Sequence, residues 1–353
     1  MVKFNCKAIT NAITILPNGR IAPCCVIKNY SKPIELLNDK NRFVDLQTDE
    51  VPTPCTQCVK YPQSSYKRFF NQFSGDHVQH LDFRNSTLCN MKCRTCGPHA
   101  SSSWASELGA KVSIIKSELP VNFDEILTEH LKEIYFAGGE PLLNPDHWML
   151  LQKLDQLDLA HKIRLKYNTN LTVTTYKNIS AFDIWKKFKN VEISVSVDAV
   201  GKSFDFIRSG GDWSTVSNNI AMYLNETNVT VTLNYTLSAI SVWFLPDVLK
   251  YAEENNLFVH ITQLTDPHYY TLNVLPDELA AQCVNILNKC KAEFPKYSNQ
   301  IDLAISVASN NDDQSSFVLL MSNILMADKI RNESLFDLLP FKQSALSRIY
   351  ANQ

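Results

Sequence analysis

Cys89-Asn90-Met91-Lys92-Cys93-Arg94-Thr95-Cys96 holds three cysteines in eight residues, and their C-x3-C-x2-C spacing aims three thiolates from one short loop at one point. Three thiolates can hold three irons of a 4Fe-4S cube and leave the fourth iron without a protein ligand, open to a small molecule. A structural zinc site wants four ligands, and only His99 is near enough in sequence to be the fourth. A second set, Cys6, Cys24, Cys25, Cys55 and Cys58, precedes the triplet and includes a C-x2-C pair. Four of these thiolates suffice for another iron-sulfur cluster or for a structural zinc, and both remain open on spacing alone. Cys283 and Cys290 lie seven apart on one face of a helical pattern and are expected in the core.

The remaining chemistry-bearing residues fall at the ends of apolar runs. Gly138-Gly139-Glu140-Pro141 follows Ile134-Tyr135-Phe136-Ala137, Asn168-Thr169-Asn170 follows a third run, and Ser196 with Asp198 closes a fourth. Bare glycines let another group approach the backbone, and a carboxylate beside them can accept from a cationic donor. Glycine is scarce, nine in 353 residues, so the pairs Gly138-Gly139 and Gly210-Gly211 mark backbone that tolerates no side chain.

Positioning these groups requires strands ending where the chemistry begins. From about residue 80 the sequence alternates β-branched or aromatic runs with amphipathic stretches, the pattern of βα units and a parallel sheet. Six strands are predicted, at 80–86, 131–137, 162–168, 191–197, 229–237 and 257–265, with helices such as His147-Trp148-Met149-Leu150-Leu151 between them. Six units are too few for a closed eight-stranded barrel. The fold class is therefore α/β, an open partial (βα)6 TIM-like barrel, whose ligands would sit at the C-terminal ends of the strands. A small cysteine-rich segment with a hairpin at Pro17-Asn18-Gly19-Arg20 precedes it, and helices follow it. The predicted divisions are 1–78, 79–270 and 271–353.

Composition narrows the function classes. Lys plus Arg at 34 against Asp plus Glu at 36 gives net charge −2, so no global positive field argues for a nucleic-acid binder. No run approaches the roughly 18 apolar residues of a membrane span, and the N-terminus lacks the pattern of a secretory signal. A cytoplasmic chain with no membrane partner is expected, where cysteines serve metals rather than disulfides.

The triplet together with the Gly138 to Pro141 element, about forty residues later at a strand end, resembles the radical S-adenosylmethionine (radical SAM) superfamily over roughly residues 80 to 265. The resemblance implies that Cys89, Cys93 and Cys96 hold a 4Fe-4S cluster and that Gly138, Gly139, Glu140 and Pro141 receive the SAM amino group. It also implies that Asn168, Ser196 and Asp198 meet the SAM ribose and carboxylate. Phe206-Ile207-Arg208-Ser209-Gly210-Gly211 resembles the stretch whose arginine pairs with that carboxylate, which makes Arg208 the candidate. Many members carry an aromatic residue just before the third cysteine; Thr95 stands there in this chain, so adenine stacking must come from elsewhere. Cys6, the Gly19-x4-Cys24 segment and Cys55-x2-Cys58 resemble the twitch module, a shortened SPASM auxiliary-cluster domain, with Cys25 an alternative to Cys24.

The function so implied is reductive cleavage of SAM to methionine and a 5′-deoxyadenosyl radical that abstracts hydrogen from a substrate. A peptide or protein side chain is favoured over a nucleotide or small metabolite. The implied cofactors are the SAM-binding 4Fe-4S cluster, SAM and an auxiliary Fe-S cluster that relays electrons or anchors the substrate. The implied partners are that substrate and an electron donor such as flavodoxin or ferredoxin. A noncatalytic iron-sulfur carrier or redox sensor is the alternative from another class, and it leaves the glycine pair and Arg208 without a role.

Overall fold

The computed structural model describes residues 6–27, 29–56, 58, 72–110, 123 and 125–339. Two compact units divide the chain: Met1–Cys89, Pro98–Ile193 and Met222–Thr230 in the first, Asn90–Gly97, Ser194–Ala221 and Val231–Gln353 in the second.

In the first unit the strands β1 (Ala12–Ile15), β2 (Arg20–Ala22), β3 (Lys32–Pro33), β4 (His80–Phe83), β5 (Glu133–Phe136) and β6 (Arg164–Thr169) lie in the order β3-β2-β1-β4-β5-β6. The hairpin expected at Pro17 to Arg20 is present: β1 and β2 pair antiparallel, Ile15 opposite Ile21, with Gly19 at φ 68° in the turn. Glycine takes that left-handed backbone without steric cost. Unlike the expected small separate segment, β1 also pairs in parallel with β4, from Ala12 opposite His80 to Ile15 opposite Phe83. All four of its residues are buried, so apolar burial anchors this segment independently of any metal.

The parallel ladder continues from β4 to β5 and from β5 to β6. Along β6 the period of two is clean: Leu165, Tyr167 and Thr169 are buried, while Arg164, Lys166 and Asn168 are half-buried. A short hairpin of β7 (Thr175–Tyr176) and β8 (Ile179–Ser180) follows. Two helices matter for the site. Helix α1 (Ser102–Glu107) is capped by the Ser101 hydroxyl, which accepts from Trp104 N. Helix α2 (Pro145–Gln156) starts with Asn144 as cap and proline in the first turn, a sequence-legible start signal. Beneath them Phe136 stacks on Tyr167 at 4.9 Å, and the Tyr167 hydroxyl meets His147 Nε2 at 2.8 Å and accepts from Trp185 Nε1 at 3.1 Å. Complete burial lowers His147 to about 3, so its imidazole is neutral.

Strands β9 (Asn190–Ser196) and β10 (Val229–Leu237) begin in the first unit and end in the second. Within the second unit Val197 N donates to Asn234 O, and β10 pairs in parallel with β11 (Phe258–Gln263), from Thr232 opposite Phe258 to Leu237 opposite Gln263. Its helices are α3 (Gly201–Ile207), α4 (Leu245–Glu254), α5 (Asp277–Glu293), α6 (Ser298–Ser309) and α7 (Ser316–Arg331). Cys283 and Cys290 are buried core residues of α5, and burial pushes their thiols up to about 12 and about 11. All six strands expected from the sequence are present, and the fold is of the α/β class with a parallel-dominated sheet. Among the described residues no helix is long and apolar enough to cross a membrane.

Candidate functional site

The Gly138 to Pro141 element leaves the end of β5 and lies directly on the segment that leads into Cys89. Gly139 N donates to Ser86 O at 3.0 Å, and Glu140 N donates to Leu88 O at 2.7 Å. A Cβ on Gly139 would sit 2.3 Å from Leu88 O, and one on Gly138, at φ 109°, would sit 2.8 Å from Ser86 O. The glycine pair is thus required by the chain's own loop. Cys89 itself is fixed at both ends of its backbone: its N–H donates to Ser102 Oγ, and its carbonyl accepts from Ser102 Oγ and, at 2.7 Å, from Ser103 Oγ. The serines at the start of α1 hold this cysteine.

Glu140 is engaged by the protein itself. Its side chain is buried, 2% exposed, and both oxygens serve the protein. Oε1 accepts from Leu142 N and Thr169 Oγ1, and Oε2 accepts from Asn170 N at 2.7 Å. One carboxylate thereby locks the end of β5 to the end of β6. A second buried relay, unseen in the sequence, lies alongside: Asn144 donates to Asn85 Oδ1, and Asn85 donates to Asp146. The Asn144-Pro145-Asp146 start signal was readable as a helix cap, whereas its partner Asn85 carried no local signal. Asn168, on the opposite face of β6 from Tyr167 and Thr169, is half-buried.

In the second unit Cys96 N donates to Cys93 O at 2.9 Å, closing the turn between these two cysteines. Burial pushes the Cys96 thiol up to about 11, the Cys93 thiol adds to the rise, and Arg208 opposes it. Arg208 Nη1 is 2.7 Å from Asp198 Oδ2, and Asp198 Oδ1 accepts from Thr236 N at 2.9 Å. Asp198, 1% exposed, is therefore spent on orienting Arg208 and the end of β10. Ser196 ends β9 half-buried.

The first-unit cysteines gather around Cys6. Cys6 and Cys24 both pack on the apolar group of Ala8, Ala12 and Phe73. Burial pushes Cys24 up to about 12, with Cys25 and Cys6 adding. Cys55 is pushed up to about 11, again by burial first, with Cys6 and Cys58 adding. Cys25 also lies in the field of Arg84, where burial works against the cation and Asp82 and then Cys25 outweigh it. Arg84 holds Asp82 through two 2.8 Å bonds. Among the described residues no three of His, Cys, Asp and Glu stand in metal-ligating geometry. The fit to iron-sulfur chemistry lies in the donor type, the thiol neighbourhood and the fixed backbone of Cys89.

Residues 86–238 match the family described as the Radical SAM superfamily. Over these residues the chain is similar to radical SAM domains. No curated protein matches the chain. Among solved structures, similarity extends to native anSMEcpe with bound AdoMet, at TM-score 0.43 and 20% identity, covering 62% of this chain and 61% of that chain. It extends also to Streptococcus suis SuiB bound to S-adenosylmethionine, at TM-score 0.41 and 16% identity, covering 73% and 61%. SuiB bound to its precursor peptide SuiA aligns at TM-score 0.41 and 16% identity, over 69% and 54%. The chain thus matches less than two thirds of the length of these solved structures. The matched residues include the cysteine triplet, the glycine pair, Asn168, Ser196, Asp198 and Arg208.

Proposed function

We propose that this protein is a radical SAM enzyme that cleaves S-adenosylmethionine reductively and removes a hydrogen atom from a peptide or protein side chain. The observation that carries the reading is the joining of two motifs inside the matched domain. Gly139 N and Glu140 N bond Ser86 O and Leu88 O, seating the glycine pair against the residue before Cys89. When bound, the 4Fe-4S cluster and SAM supply the one-electron cleavage of the sulfonium that makes hydrogen abstraction possible.

Cys89, Cys93 and Cys96 would hold that cluster, and the backbone of Gly138 to Pro141 would receive the SAM amino group. Glu140 positions this backbone by fixing Thr169 and Asn170 at the neighbouring strand end. Asn168 and Ser196 supply polar contacts to SAM, and Asp198 orients Arg208, the residue assigned to the SAM carboxylate. Cys6, Cys24, Cys55 and Cys58 would hold the auxiliary cluster, with residues 1–78 as its module, 79–270 as the barrel and 271–353 as the helical extension. Cys24 is taken over Cys25 because Cys24 packs with Cys6 on the Ala8, Ala12 and Phe73 group. A flavodoxin or ferredoxin would deliver the electron.

The test is the iron, sulfide and zinc content after anaerobic reconstitution. About eight irons per chain is the expected result for two cubanes. About four irons with one zinc would keep the enzyme and turn the first cysteine set into a structural staple. Zinc without iron would overturn the reading.

A further inference from the structure

The cluster loop of the second unit is gripped from the far end of the chain. Lys92 N donates to Ser209 O at 2.7 Å, and Arg94 N donates to Ile207 O at 2.8 Å, so residues 92–94 pair with 207–209 in ladder fashion. The pairing is close: a Cβ on Gly210 would lie 2.7 Å from Asn90 O, and one on Gly211 would lie 2.0 Å from Met91 Cε. The backbone contact and a φ of 95° give Gly210 its reason, whereas the atom facing Gly211 is the movable end of the Met91 side chain. Side chains from both members then converge on the end of α7. The Arg94 guanidinium, 2% exposed, reaches Asp328 at 2.6 Å and Glu333 at 2.9 Å. Its Nε donates to Phe206 O, and its plane lies 3.9 Å from the Phe206 ring centroid. From the helix side, Arg331 donates to Ser209 Oγ at 3.0 Å.

The acceptors are themselves held in place. Asp328 Oδ2 accepts from Leu335 N, Glu333 N donates to Asp328 O, and Asn332 between them takes the left-handed φ of 51° that turns the chain back. Arg94 thus joins two carboxylates at the end of α7, Arg331 reaches the paired segment through Ser209, and the buried Tyr270 lies in the field of Arg94, Arg331 and Asp328. Arg94 sits between the two cysteines whose thiols must be presented together. A planar fork holding two carboxylates fixes both position and orientation in a way that a lysine cannot.

We propose that Arg94, with Asp328 and Glu333, is a positioning device by which the C-terminal end of α7 sets Cys93 and Cys96 for cluster ligation, a role that rests on the radical SAM reading. The variants are R94K and the milder E333Q, whose carboxylate is partly exposed. The first readout is hydrogen exchange of peptides covering 90–97 in the metal-free full-length chain. The second is the rate of iron loss from the reconstituted protein to a chelator, with the SAM-induced change in the reduced-cluster EPR signal.

The expected result is at least tenfold faster exchange of the Lys92 and Arg94 amides in E333Q, with R94K at least as fast. Iron loss should quicken several-fold and the SAM-induced EPR change should weaken, while exchange in β4 to β6 stays as in the parent. Unchanged exchange over 90–97 in both variants overturns the proposal, as does faster exchange spread evenly over the chain. If R94K fails to fold, E333Q decides alone. A parent chain that takes up no iron yet shows E333Q-sensitive protection of 90–97 would sink the enzyme reading and leave the clamp standing.

Discussion

Gly139→Ala isolates the contact between the glycine element and the cysteine loop. The added Cβ would stand 2.3 Å from Leu88 O and 2.7 Å from Thr87 C, all of it backbone. An ordinary carbon to oxygen contact is about 3.3 Å, so the segment before Cys89 must withdraw by roughly 1 Å. Two bonds span that gap, Gly139 N to Ser86 O and Glu140 N to Leu88 O. A forced shift in a packed region costs about 2 kcal/mol, and straining both bonds adds about 1, giving a loss of about 3 kcal/mol. Gly201→Ala is the control: its φ of 59° strains an alanine, but nothing lies within 4 Å of the new Cβ. That strain alone is worth about 1 kcal/mol. Urea unfolding of the metal-free chain measures both. Because a misplacement of about 1 Å can cost a hundredfold in a positioned reaction, SAM cleavage by Gly139→Ala should fall by about that factor. A Gly139→Ala chain within about 0.5 kcal/mol of the parent, with full SAM cleavage, would refute the reasoning.

Three further outcomes are expected. Glu140→Gln should cost about 2 kcal/mol in urea unfolding, because an amide can accept on only one side and leaves a buried donor without its partner; an unchanged midpoint would contradict the locking role. His147 is held at about 3, below its ordinary 6.5, by burial. Between those values the unfolded chain binds a proton that the folded chain excludes, so stability falls as pH drops below 6.5. This group should contribute a loss of about 2 kcal/mol by pH 5, and His147→Phe should flatten the curve; equal slopes in both proteins would count against it. Cys24→Ser should lower reconstituted iron by about four per chain, whereas Cys25→Ser should retain it; the reverse result would exchange their roles.

Much of the fold was legible because strand and helix periods repeat locally: each of the six expected strands overlaps an observed one. What escaped was the second pairing of β1, with β4. Ala12–Ile15 is four residues long and buried throughout, and a short apolar run cannot be told from part of a helix by period alone. Its partner β4 lies nearly seventy residues later in the chain, beyond the reach of any local period. The site was legible where it is written in contiguous motifs, the triplet and the glycine pair. What escaped is how the motifs are held. Glu140 meets partners 29 and 30 residues away, and Arg94 meets Glu333 across 239 residues. A sequence shows an acid beside two glycines and an arginine between two cysteines. Only folding shows that the acid ties two strand ends together and that the arginine bonds two carboxylates.

The most direct test of the central claim is the formation of 5′-deoxyadenosine from S-adenosylmethionine by the anaerobically reconstituted, chemically reduced chain. The account predicts 5′-deoxyadenosine and methionine in equal amounts from the parent and none from Cys93→Ala. A parent protein with a full complement of iron and sulfide that yields no 5′-deoxyadenosine would contradict it.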